Sequence, residues 1–230
     1  TGGMITVTTA DAATALTLTA SEDVDVVGAT LATTATLSAT GLATDTVART
    51  SDISGAALTT ANVSGNGAAA EYDFTGSNLL NTVNVTGDQS VIVEVDASDV
   101  DALTAGTGNI ITVTDALTAG TSTLRLSTAA GDVDATAAAV DVIEMAVYNN
   151  AKTLTVATGA NVQVATAQTG ATTISAAVAT AATNVLNLDI NNNTAGIQTQ
   201  TNTAQVYSNF KTVNLSLTDS LTTVTSTNFG

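Results

Sequence analysis

Short runs in which apolar residues alternate with Thr, Asn or Asp recur about every ten residues along this chain, and that rhythm leaves it few folds to choose from. Near the start the runs are Met4–Thr9 (MITVTT), Thr14–Thr19 (TALTLT), Asp23–Val27 (DVDVV) and Ala35–Ala39 (ATLSA). Further on come Lys152–Ala157 (KTLTVA), Asn161–Ala167 (NVQVATA) and Ala171–Ser175 (ATTIS). A period of two puts every second side chain on one face, so each run reads as a half-buried strand. Gly, Asn, Asp or Ser separates most of them and supplies the turns.

Helix is hard to place. Ala135–Met145 (ATAAAVDVIEM) holds the best helix formers and is the prime candidate for one short helix or helical turn. Ala176–Ala182 ranks below it, because Val178 and Thr180 are β-branched. The expected fold class is therefore all-β. Two architectures suit strands at this spacing: an irregular parallel β-solenoid, or tandem antiparallel β-sandwich domains. A degenerate repeat favours the solenoid. Leu80–Thr86 (LNTVNVT) and Phe210–Ser216 (FKTVNLS) share a pattern that Asn184–Ile190 and Val142–Val147 echo, and Asn84 and Asn214 are placed to stack in ladders between rungs. The expected organisation is a β-rich region over 1–70 and a solenoid-like repeat region over 71–230, with the boundary inside Ala61–Gly76.

Composition narrows function by what is missing. The chain has no Cys, His, Trp or Pro in 230 residues. Without His the commonest general base is lost, and with it the serine triad and the histidine-based metalloprotease motif. Without Cys there is no thiolate nucleophile, disulfide or zinc–thiolate centre. Paired carboxylates suffice in principle for glycoside hydrolysis, but sugar sites use aromatic platforms, and aromatics are only 3% of this chain. The expectation is a protein that is not an enzyme.

Charge points the same way. Twenty acids stand against Arg49, Arg125, Lys152 and Lys211, for a net charge of −16. Nucleic acid and anionic membrane would both repel such a surface. No apolar run approaches the 18 residues or so of a membrane helix, so membrane insertion by a helix is not expected. A medium rich in divalent cations suits the chain, since calcium takes its six to eight ligands from oxygens. The densest acidic stretch is Glu94, Asp96, Asp99 and Asp101; Asp23 with Asp25 and Asp132 with Asp134 are i,i+2 pairs of the same kind. These eight are the candidate calcium ligands, against the plainer reading of a solvated acidic edge that discourages strand pairing. Asp11, Asp45, Asp52, Asp88 and Asp115 sit beside turn-like residues, where an Asx-turn is the default reading.

Asn81–Asp88 (NTVNVTGD) resembles the "ETVNVTG" rungs of surface-layer proteins of Gram-negative bacteria that leave by type I secretion, with Asn81 where Glu is common. The Thr/Ala/Asn-rich, Cys-free, acidic style of the whole chain is similar to that family. The resemblance implies a calcium-dependent structural subunit, or a region of one, that is secreted, assembles with copies of itself on the cell surface, and contacts cell-surface polysaccharide. The family's calcium-binding GGxGxDxU nonapeptides are missing here, so no ligand carries over by motif, and the secretion signal is expected beyond Gly230. A second reading is an extracellular adhesin stalk or biofilm-type fibre that binds a host or a glycan.

Overall fold

The computed structural model describes residues 5–8, 12–21, 23–40, 49–96, 109–127, 131–146, 152–165, 172–178, 183–191, 198–202, 206–217 and 221–226. Among them are 22 strands, numbered here in chain order, and no helix. Sheet A carries ten strands in the order β1 (Ile5–Val7), β3 (Val24–Val26), β5 (Arg49–Ile53), β7 (Ala70–Asp73), β9 (Val91–Asp96), β12 (Ser122–Ser127), β14 (Val142–Met145), β16 (Asn161–Val164), β18 (Val185–Ile190) and β21 (Thr212–Leu217). Sheet B orders β2 (Ala15–Ala20), β4 (Thr34–Thr40), β6 (Thr60–Asn66), β8 (Thr82–Gly87) and β11 (Thr112–Leu117). Sheet C orders β10 (Asn109–Ile110), β13 (Val133–Ala135), β15 (Thr153–Val156), β17 (Thr173–Ala176) and β20 (Val206–Ser208), while β19 (Gln198–Asn202) pairs β22 (Leu221–Ser226).

Every pairing among these strands is parallel. The chain is a parallel β-solenoid and not a pair of antiparallel sandwiches. Each coil leaves sheet A, crosses sheet B or sheet C, and returns one strand further along. Coil length is irregular: 19 residues separate Ile5 from its neighbour Val24, and 31 separate Val93 from Leu124. Early coils use sheet B and later ones sheet C. The switch falls at β10 and β11, consecutive in sequence, one joining sheet C and the other sheet B.

Alternation along each strand fills the interior. In β9 and β12 every second residue is buried, so Val91, Val93, Val95, Ser122, Leu124 and Leu126 point inward. Registers align these positions into columns; one runs Val24, Ser51, Tyr72, Val93, Leu124, Ile143, Val162, Leu188. Tyr72 and Phe74, two apart on β7 and its continuation, are both buried with ring centroids 6.5 Å apart. Burial drives the Tyr72 phenol pKa up to about 12, and its oxygen is held by the Ala39 amide (2.9 Å) and the Ser64 carbonyl (2.7 Å).

The helical expectation for Ala135–Met145 fails. That segment holds the end of β13, a turn, a one-residue bridge from Ala138 to Val113, and β14. Asp134 accepts from the Thr136 amide at 3.0 Å and starts the turn, and Ile143 and Met145 bury alternately against Leu124 and Leu126. Strands on both flanks offer ladder partners for the backbone, and these outweigh a helix propensity of a few tenths of a kcal/mol per residue. Of Ala176–Ala182, Ala176 closes β17, and 179–182 lie outside the described residues.

The outward side of sheet B is built from small uncharged residues. Its columns read Thr34, Thr60, Thr82, Thr112; then Thr17, Thr36, Asn62, Asn84, Thr114; then Thr19, Ser38, Ser64, Thr86, Ala116. Gly87, at the corner leading into β9, has φ +118°, and a Cβ there would collide with the backbone oxygen of Gly65 one coil below. Only glycine fits at that corner, which gives the TVNVTG segment a structural reason for its last residue.

Candidate functional site

Sheet A places one outward position of every strand in a single column. In order it reads Thr6, Asp25, Asp52, Asp73, Glu94, Arg125, Glu144, Gln163, Asp189, Ser216. Asp25, Asp52, Asp73 and Glu94 are consecutive in it, one carboxylate per coil at a strand spacing of about 4.8 Å. Like charges so placed favour protonation. Partial burial raises the Asp52 pKa, with Asp73 and Asp25 adding to it; burial also raises that of Glu94, where the push of Asp73 runs against the hydrogen bond from Ser127 and the pull of Arg125.

Arg125 ends the run. Its Nη1 lies 2.7 Å from Glu71 Oε1 and 3.4 Å from Glu94 Oε2, and its Nε lies 3.1 Å from Glu144 Oε1. The Glu144 side chain is only 9% exposed and that of Arg125 17%. Burial alone would favour a neutral guanidine, but Glu144, Glu71 and Glu94 outweigh it and raise the arginine pKa. One cation thus ties β7, β9, β12 and β14 together. A second polar stitch lies between sheets: the buried Ser122 hydroxyl donates to Asp115 Oδ2 at 2.5 Å, and Asp141 Oδ2 accepts from the Ser122 amide at 2.9 Å.

The residues singled out from sequence are distributed differently from the clusters suggested by their spacing. Glu94 faces Arg125 in the column, and Asp96 ends β9 two residues on, beside Ser127. Asp99 and Asp101 lie outside the described residues. Asp25 joins the acidic column, whereas Asp23 is an exposed residue just before β3. Asp132 accepts from the Thr153 amide at 2.7 Å, and Asp134 holds the Thr136 amide and hydroxyl. Among the described residues no group of three or more acids converges as a metal cage would require.

Sequence reading passed over Asp73, Glu71, Glu144 and Asp189 and assigned Asp52 to an Asx-turn. Asp52 lies in β5 with its side chain outward. Column neighbours are 19 or more residues apart, and within the acidic run the shortest steps, Asp52 to Asp73 and Asp73 to Glu94, are 21. A window of eight residues does not reveal them. Asp115 does take the local bond expected of it, accepting from the Leu117 amide at 2.8 Å, and Asp88 binds the Gly67 amide of the previous coil at 2.8 Å. Asp11 and Asp45 lie outside the described residues. The asparagine ladders are present: Asn84 donates to Asn62 at 2.9 Å, and Asn214 to Asn187 and Asn187 to Asn161 at 2.8 and 3.0 Å. No known protein family, curated protein or solved structure matches the chain.

Proposed function

We propose that this chain is a structural subunit, or a region of one, of a secreted, self-assembling bacterial surface layer, with calcium bridging the acidic surfaces of neighbouring copies. The observation that carries the reading is the acidic column on sheet A, an unbroken row of Asp25, Asp52, Asp73 and Glu94 on one side of a ten-stranded parallel sheet. Ten strands at about 4.8 Å make a spine roughly 43 Å long. Such a spine carries its carboxylates in fixed register, so two of them laid side by side repel unless a divalent cation lies between. Calcium in this reading belongs between copies, with water completing its shell, and not in a cage within one chain.

Electron microscopy of the purified protein in millimolar calcium and in excess chelator tests it. Sheets that form in calcium and disperse in chelator are the expected result; dispersed particles in both conditions would refute the lattice. The spine itself favours a second reading, an adhesin stalk or fibre spacing a glycan- or host-binding tip from the cell. Filaments without two-dimensional order would point there.

A further inference from the structure

We infer that the outward face of sheet B is the surface on which a second copy of this chain docks, an inference that rests on the self-assembly reading and specifies its contact. Net charge is −16, yet no outward position of β2, β4, β6, β8 or β11 carries a charged side chain. On sheet A the outward column is acidic over most of its length. A second copy meets least repulsion on sheet B, where no ionised group has to be desolvated.

Several polar side chains of that face are bonded to one another or to the backbone already. Asn84 donates to Asn62 and Asn62 to the Thr36 hydroxyl, at 2.9 and 3.3 Å. Asn66 donates to both Ser38 and Ser64, at 2.9 and 3.0 Å. The Thr40 hydroxyl donates to the Ala20 carbonyl of the neighbouring strand, at 3.2 Å. Side chains bonded to one another keep their partners when water leaves, and being ordered beforehand they lose less entropy on docking.

Shape fits the same partner. The four ladders of sheet B run without a register shift, so the face presents straight columns of short side chains of similar height. Two such faces can interdigitate at the roughly 10 Å separation of stacked sheets. Five strands of about six residues give a footprint of roughly 500 Å² per copy, the lower limit for a specific pair. A contact of that size suits an assembly in which each copy is held by several neighbours.

The test uses the full chain. In the Cys-free background a Thr36→Cys variant, oxidised in solution, should form covalent dimers roughly tenfold faster than Ser216→Cys on sheet A, as for an encounter favoured by about 1.4 kcal/mol. Thr36→Asp combined with Thr114→Asp should abolish assembly while leaving the melting curve close to wild type. Equal cross-linking rates, or a double variant that assembles normally, would overturn the inference. If wild type assembles and the double variant does too, the docking face is wrong and the surface-layer reading stands. If wild type stays dispersed in calcium while Thr36→Cys dimerises quickly, the lattice is wrong and the docking face stands. Protection of Thr36→Cys from labelling by a soluble polysaccharide, without dimerisation, would assign the face to a glycan and overturn the inference.

Discussion

Arg125 Nη1 and Glu71 Oε1 lie 2.7 Å apart although 54 residues separate them in sequence. Strand β9 lies between their strands in sheet A, so the arginine reaches diagonally past Glu94 to meet its partner. The same guanidinium closes on Glu144, the least exposed carboxylate of the group.

Replacing Arg125 with Ala leaves three glutamates facing one another, one of them almost fully buried. Breaking such a cluster should cost roughly 2–3 kcal/mol, below the full value for a deeply buried pair because two of the acids are partly solvated. A fall in Tm of about 5–10 °C is expected for a chain this long. Glu144→Gln added to Arg125→Ala should recover part of the loss, measured by thermal denaturation followed by circular dichroism.

Asp52 and Glu94 bind protons more tightly in the folded chain, since burial and the neighbouring Asp73 raise both values. The folded state then holds more protons than the unfolded one as pH passes the ordinary carboxyl range. Stability falls as pH rises from that range through the raised folded values, and mild acidification restores it. Asp52→Asn should raise stability at neutral pH by a few tenths of a kcal/mol, the scale of a like-charged cross-strand pair, and flatten the pH profile. An unchanged profile would count against repulsion along the column.

Gly87 has no room for a side chain. Its φ of +118° is unfavourable for other residues, and the Gly65 backbone occupies the space of a Cβ. Gly87→Ala should destabilise by about 3 kcal/mol or more, whereas the same change at Gly159, also left-handed but with nothing within 4 Å, should cost only about 1 kcal/mol. Denaturant midpoints of the two variants test the difference.

Tyr72 anchors two coils through its hydroxyl. Phe in its place keeps the ring but strips the Ala39 amide and the Ser64 carbonyl of a buried partner. A loss of roughly 1–3 kcal/mol is expected. Ultraviolet titration of the wild type should show one phenol ionising near 12.

The strands were legible because alternation is a local property. Met4–Thr9, Lys152–Ala157 and Asn161–Ala167 contain β1, β15 and β16, and Thr14–Thr19 covers all of β2 but Ala20, since the inward position of each half-buried strand needs an apolar residue whatever its neighbours are. The sheet that a strand joins is not local: LNTVNVT becomes β8 in sheet B and FKTVNLS becomes β21 in sheet A. Ala135–Met145 misled for the same reason, its propensity being local while its hydrogen-bond partners are the strands stacked on either side.

By itself, then, the sequence determined that this chain is all-β, repeated, acidic and without the side chains of the commonest catalytic machinery, because composition and a period of two survive any arrangement of the coils. Register decided everything that depends on which residues are neighbours. Steps of 21 to 31 residues bring Asp25, Asp52, Asp73 and Glu94 into one row and hand Glu94 to Arg125, while the same coiling leaves the face of sheet B without charge. Ladder hydrogen bonds between coils fix that register, and residues separated by irregular loops become neighbours only once those bonds form.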